Sequence, residues 1–83
     1  MLFRSLAEVI EAEPLETSPL VGKPLREVAL AAGIRIGAVF RDRQVLVPNG
    51  DTQIQAKDRV IIFAMADRVR QVEQMFRVSL DFF

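Results

Sequence analysis

A short apolar run in the second half of the chain, RVIIFAM from Arg59 to Met65, limits the folds open to this sequence more than any other segment. Its apolar part, Val60 to Ala66, falls far short of the ~20 residues that a membrane-spanning helix needs. A continuous β-branched run of this length is typical of a strand that is covered on both faces. We therefore expect it to form the central strand of a sheet.

The chain has 83 residues, which is enough for one domain. Hydrophobic residues make up 51% of the sequence and supply a core. A domain of this size nevertheless buries only roughly 60% of the surface that its unfolded chain exposes. Because such a thin core gains from burial against a neighbour, we expect a homo-oligomer, most simply a dimer, or contact with an attached domain.

The balanced charge of the chain and its lack of Cys and His exclude several classes of function. The 11 basic and 11 acidic residues cancel, so we expect neither nucleic-acid binding nor insertion into a membrane. The sequence has no Cys and no His, which removes disulfides, thiolate metal ligands and the commonest catalytic base. We therefore predict no enzymatic activity, no catalytic residues and no metal site. The N-terminus lacks a signal-peptide pattern, and a cytoplasmic location is predicted.

The first part of the chain contains a strand and a helix. Residues 6–13 mix alternation with good helix formers; we interpret them as a strand, and a short helix remains the alternative. Pro24 suits a first helical turn, and Gly33 suits the left-handed residue that follows a helix. The spacing of apolar residues between them predicts a helix over 24–32.

The next segment, IRIGAVFR, alternates as a strand over residues 34–41. One face is predicted to point to the core: Ile34, Ile36, Ala38 and Phe40. The other face is predicted to be mixed: Arg35, Gly37, Val39 and Arg41. Asp42 and Arg43 form the predicted turn of a hairpin whose second strand is 44–47.

After the central strand, Asp67 is placed to cap a helix with an apolar stripe of Val69, Val72 and Phe76. The predicted order is β-α-β-β-β-α. The chain is thus expected to be a single small α+β domain with a mostly antiparallel sheet and two helices.

Three segments together resemble a known family: SPLVGKPLREV, IRIGAVFRDRQVLVPNGDTQIQAKDRVIIF and ADRVRQVEQMF. They are similar to the C-terminal RCK domain, also called the TrkA C-terminal domain, of regulators of potassium conductance. The resemblance runs over residues 6–83 and leaves 1–5 as an N-terminal extension or as residues added to the native chain. The sequence departs from the family pattern at Arg43 and Lys57, where glycine is common.

The resemblance implies a cytoplasmic subunit that assembles on a membrane potassium transporter, at the inner membrane, and alters its gating when small ligands bind. It also implies that NAD or ATP binds in a separate Rossmann subdomain. This chain has only 4 Gly and no GxGxxG motif, so we expect no cofactor within it. Related domains bind ligands such as cyclic dinucleotides between paired subunits.

If this chain binds a ligand, the predicted site is the mixed face of the 34–41 strand. It comprises Arg35, Gly37, Val39 and Arg41, where two guanidinium groups would hold an anionic or nucleotide ligand and the glycine would allow its close approach. The alternative interpretation is that both arginines are surface charges. In that case the chain is a structural oligomerisation domain with no small-molecule ligand of its own.

Two further features each have two interpretations. Asp51 and Asp58 are predicted to cap loops, and metal binding is the weaker alternative because no third carboxylate lies close in sequence. Phe76, Phe82 and Phe83 are a candidate docking patch for a neighbouring subunit, although Phe76 also fits the core stripe.

Overall fold

The computed structural model of the chain describes residues 6–76 and the backbone of residues 81–82. Over these residues the strands are Ala7–Ala12 (β1), Ile34–Arg41 (β2), Gln44–Leu46 (β3), Arg59–Met65 (β4) and Asp81–Phe82 (β5). Short 3-10 turns cover Leu25–Glu27 and Ala66–Arg68, and the helix α1 covers Val69–Phe76. This is the α+β architecture that the sequence predicts. The side chains of Phe82 and Phe83, and the proposed extension 1–5, lie outside the described residues.

The described strands form an antiparallel sheet with the order β3-β2-β4-β1-β5. Strand β4 lies in the middle, between β2 and β1, as predicted for the apolar run. Strand β1 pairs along its whole length with β4, from Ala7 with Met65 to Ala12 with Val60. The strand interpretation of the N-terminal segment is therefore confirmed and its helical alternative is wrong.

The core lies on one face of this sheet. On β4, Val60, Ile62 and Ala64 are buried, whereas Phe63 and Met65 on the opposite face are 47% and 44% exposed. The prediction that both faces of this strand are covered is therefore wrong for the described part of the chain. The reason is that α1 and the segment after Pro24 both pack against the same buried cluster, which leaves the second face without a layer.

A β-bulge at Gly37 changes which residues of β2 face the core. Ile36 lies opposite Ile62, but Ala38, two positions later, lies opposite Ile61, only one position earlier on β4. An extra residue in one strand reverses the alternation beyond it. Val39 is consequently fully buried, and the prediction that Ala38 and Phe40 point to the core is wrong.

The predicted helix over 24–32 is present only as the 3-10 turn Leu25–Glu27, and Val28 is already extended at φ −88° and ψ 124°. The N–H groups of Leu25 and Arg26 donate to the carbonyls of Thr52 and Gly50, at 2.9 and 3.0 Å. These bonds hold the segment against a neighbouring loop. The extended chain that follows brings Val28, Leu30 and Ala31 into contact with the core.

Helix α1 carries the predicted stripe, since Val72 and Phe76 are buried and Val69 packs against the core. The predicted cap is absent, because no side-chain capping bond is made at the 3-10 turn that holds Asp67. The other end of the helix is tied to the loop after β1. There the hydroxyl of Ser18 donates to the Met75 carbonyl at 2.5 Å and accepts from the Leu20 N–H at 3.2 Å.

Candidate functional site

Arg41 forms a partly buried ion pair with Asp58. Its Nε donates to Asp58 Oδ1 at 2.9 Å, its Nη2 donates to Asp58 Oδ2 at 2.6 Å, and Nη2 also donates to the Gln53 carbonyl at 2.8 Å. Asp58 is only 2% exposed and accepts a further bond from the Gln55 N–H at 2.9 Å. The hydrogen bonds from Arg41, with that from Gln55, hold the pKa of Asp58 below its ordinary value, although burial acts in the opposite direction.

The residues predicted to form a ligand site do not share one face. The bulge leaves Arg35 on the face opposite the core, beside Phe63, and places the fully buried Val39 on the core face. Arg41 follows on the core face, where its guanidinium group is bound to Asp58. Of the four predicted residues, the structure therefore keeps only Arg35 and Gly37 on the side away from the core.

Arg35 lies on the rim of a groove at the open edge of β2. Strand β3 pairs only with Val39–Arg41, so in the described part of the chain residues 34–38 have no strand neighbour on that side. The groove has a volume of about 280 Å³. Its lining comes from β2, from the segment after Pro24 and from the loop before Asp51: Leu25, Arg26, Leu30, Ile34, Arg35, Ile36, Pro48, Asn49 and Gly50. We call this cavity the edge groove.

The edge groove combines an apolar floor with polar groups on its rim. Ile34 and Ile36 at its floor are almost fully buried. Arg35 is exposed and takes part in none of the ion pairs that the structure shows among residues 6–76. Arg26 forms an exposed ion pair with Asp51. This arrangement can hold an anionic group on the rim and an apolar or planar group against the floor.

Sequence reasoning missed Arg26 and Asn49. Arg26 falls inside the segment predicted as a helix, where its charge resembles that of any solvated helix face. Asn49 falls in a Pro-Asn-Gly-Asp turn that indicates only a break between strands. Its side chain stabilises that turn by accepting from the Asp51 N–H at 2.8 Å. The groove forms because the segment after Pro24 contacts the loop before Asp51. The residue pattern of either segment alone does not indicate this contact.

A second cavity, of about 290 Å³, lies on the other side of Arg35. It opens on the sheet surface opposite the core, which carries Val9, Phe63, Met65 and Ala7 in adjacent pairs of β1 and β4. We call this surface the outer face. Val9 is 39% exposed, so the apolar surface extends from β4 onto β1. The outer face is therefore a continuous apolar surface with Arg35 at its border.

The described residues were compared with the requirements of a metal site and of a membrane-spanning helix. No three acidic side chains among them lie close enough to bind a metal ion. No helix among them has the length and apolar character to cross a membrane. Asp58 caps its turn by accepting from the Gln55 N–H, as predicted, whereas the Asp51 carboxylate forms an ion pair with Arg26 and accepts no turn N–H in the described structure.

Comparison with known families matches residues 9–77 to the family described as the TrkA-C domain. This chain belongs to the TrkA-C domain family. The family resemblance predicted from the sequence is therefore confirmed. The TrkA-C domain is regulatory and not catalytic, which agrees with the prediction that the chain is not an enzyme.

Relatives of this TrkA-C domain are potassium uptake proteins. The chain is 58% identical over 82 residues to the Trk system potassium uptake protein TrkA of Azorhizobium caulinodans, covering 99% of this chain and 18% of the relative. It is 38% identical over 86 residues to the TrkA of Halomonas elongata, covering 99% of this chain and 19% of the relative. The chain thus spans less than a fifth of the length of these two proteins.

A solved structure described as an RCK domain with cda has the same fold. It superposes with a TM-score of 0.72 at 25% identity and covers 83% of this chain and 97% of its own. The TrkA-C domain described above therefore has the architecture of an RCK domain.

Proposed function

We propose that this TrkA-C domain is a regulatory ligand-binding and dimerisation module of a potassium uptake system. In this role it acts in the cytoplasm, at the inner membrane. It controls a membrane potassium transporter as one domain of a longer protein, comparable in length to its TrkA relatives. The observation that carries the proposal is the exposed Arg35 on the rim of an apolar groove. The names of the relatives support the link to potassium uptake.

The chemistry of the edge groove favours a small anionic ligand with an apolar or planar part. Arg35 supplies a positive charge with no partner in the ion pairs shown, and Ile34 and Ile36 supply an apolar floor. A nucleotide combines the two required parts, a phosphate and a planar base. The volume of about 280 Å³ lies at the lower end of small-molecule sites, which suits one part of a ligand held at an open strand edge.

The ligand proposal retains Arg35 and Gly37 and gives Val39 and Arg41 structural roles. Gly37 acts indirectly, because its lack of a side chain allows the bulge that turns Arg35 and Arg41 to opposite faces. Val39 fills the core and Arg41 neutralises Asp58. NAD or ATP is proposed to bind elsewhere, in a Rossmann subdomain of the full-length protein.

For dimerisation we propose that the outer face packs against the outer face of a second copy. The same surface carries half-exposed apolar side chains, such as Phe63 and Met65, and a cavity of about 290 Å³ beside them. A surface with both features can be complementary to itself, as a twofold contact requires. Burial of this face would also compensate for the thin core.

The outer face also supports a second candidate function, a structural oligomerisation domain that binds no small molecule. That function needs only the apolar surface of Val9, Phe63 and Met65. The two candidates differ in whether a small molecule stabilises the folded domain, because a ligand that prefers the folded state must raise its melting temperature.

The experiment is a thermal-shift screen of the domain against nucleotides, cyclic dinucleotides and simple anions, repeated with Arg35→Ala. The matched control is Arg70→Ala, which removes an exposed arginine from α1, away from the edge groove. We expect a saturable shift that Arg35→Ala abolishes and Arg70→Ala leaves unchanged. A domain that no compound stabilises, but that sediments as a dimer, would support the structural function instead.

A further inference from the structure

An ion pair joins the walls of the edge groove. Arg26 comes from the 3-10 turn on one wall, and its Nη1 donates to Oδ1 of Asp51 from the loop on the other wall. Two backbone bonds fasten the same walls together, from Leu25 N–H to the Thr52 carbonyl at 2.9 Å and from Arg26 N–H to the Gly50 carbonyl at 3.0 Å. The walls are therefore held by the backbone and do not depend on the ion pair.

The carboxylate of Asp51 is presented by an ordered turn. Asn49 Oδ1 accepts from the Asp51 N–H at 2.8 Å, and Thr52 Oγ1 accepts from the Asn49 N–H at 2.9 Å. The loop also packs closely on Arg26, since a Cβ at Gly50 would lie 3.3 Å from the Arg26 Cβ. Local structure thus places one acidic side chain directly in front of one guanidinium group of the groove.

The ion pair itself is exposed to water. The side chain of Arg26 is 57% exposed and that of Asp51 is 86% exposed. Pairs of this kind contribute little to stability because water and salt screen them. An anion of higher charge can therefore replace Asp51 at the guanidinium group without opening the fold.

We propose that Asp51 is an internal competitor for the ligand, and that it occupies Arg26 until an anion enters the edge groove. This inference rests on the proposed anion-binding function and adds a specificity residue to it. When Asp51 is displaced, Arg26 and Arg35 face the same ligand from the rim of the groove. A singly charged or neutral compound does not displace the carboxylate, so the groove selects ligands with concentrated negative charge, such as a phosphate ester or a diphosphate.

The test is a titration with inorganic pyrophosphate at constant ionic strength, followed through the backbone and arginine Nε–H resonances of the ¹⁵N-labelled domain. Asp51→Asn keeps the shape of the turn residue and removes its charge. We expect it to tighten pyrophosphate binding about two- to fivefold, the range that corresponds to loss of an exposed ion pair. We also expect the resonances of Arg26 and Arg35 to shift together, and Arg26→Ala combined with Asp51→Asn to lose the gain.

The matched control is Glu27→Gln, which removes an exposed acidic charge next to Arg26 but outside the ion pair. If Asp51→Asn and Glu27→Gln increase the pyrophosphate affinity equally, the increase comes from the change in net charge, and the competitor role of Asp51 is overturned. If pyrophosphate binding depends on Arg35 but Asp51→Asn does not change its affinity, the competitor role is wrong and the anion-binding function is supported. If pyrophosphate moves no groove resonance in either protein, the competitor role also falls, while the ligand screen decides the proposed function separately.

Discussion

Phe63 takes the volume that any side chain at Gly37 would need. A Cβ at position 37 would lie 2.3 Å from Cε2 and 2.9 Å from Cδ2 of the aromatic ring. The aromatic ring of Phe63 on β4 therefore packs directly on the backbone of Gly37 on β2, at the bulge. The ring of Phe63 thus lies on the outer face at the bulge that separates Arg35 from Arg41.

Gly37→Ala is expected to destabilise the domain by about 1 kcal/mol or more, because an added methyl group must push the ring aside. Urea denaturation would measure this change. In a Phe63→Ala background the same substitution should have a much smaller effect, since the ring is no longer there. An equal loss of stability in both backgrounds would show that position 37 requires glycine for its backbone conformation and not for the contact.

Asp58→Asn is expected to destabilise the domain by about 1–3 kcal/mol, less than the loss of a fully buried ion pair, because Arg41 loses its charged partner but is itself partly exposed to water. The pKa of Asp58 is lowered in the folded state, so its stabilising effect is complete above its unfolded-state pKa and is lost as the pH falls toward the folded-state value. The wild-type domain should accordingly lose stability below about pH 5. Urea titrations at several pH values would measure the free energy of unfolding, and Asp58→Asn should make it depend less on pH in the acid range. An unchanged pH dependence would contradict this role of Asp58.

Replacement of the outer-face side chains is expected to weaken self-association. Phe63→Ser and Met65→Ser each remove apolar surface that a second copy would bury, and equilibrium sedimentation would measure the dimer dissociation constant. Leu15→Ser is the matched control, because Leu15 and Phe63 are both 47% exposed but Leu15 lies in the loop after β1. Equal dimer stability in all three variants would place the contact elsewhere.

Ser18→Ala is expected to cost about 1–3 kcal/mol, because it leaves the buried N–H of Leu20 without an acceptor and removes the bond to the Met75 carbonyl. Hydrogen exchange should report faster opening at the end of α1. Thr17→Ala provides the comparison at an exposed neighbouring hydroxyl. If both variants behave alike, the helix end is held by packing of Phe76 and not by the hydroxyl.

Much of the fold could be predicted from local patterns. The apolar run at 59–65 and the hairpin at Asp42–Arg43 are recognisable because strand alternation and turn chemistry act over a few residues. Asp42 and Arg43 both adopt left-handed backbone, with φ of 51° and 65°, as the hairpin requires even without glycine. The stripe of Val72 and Phe76 is equally local.

The candidate site was less accessible to sequence reasoning. A single extra residue at Gly37 reverses the faces of β2, and nothing in the alternation of IRIGAVFR reveals it. The segment after Pro24 has the spacing of a helix, but its hydrogen bonds to Gly50 and Thr52 hold it in another conformation. Both errors concern contacts between segments far apart in the chain, and the edge groove is built from such contacts.

The bulge has a consequence for how this strand can change in evolution. Arg35 can be substituted to suit another ligand without disturbing the Arg41–Asp58 pair, because the bulge places these two arginines on opposite faces of the sheet. A deletion at the bulge would instead turn Val39 toward solvent and move Arg41 away from Asp58. Variation among homologues should therefore be rich in replacements at Arg35 and poor in insertions or deletions between Ile36 and Val39.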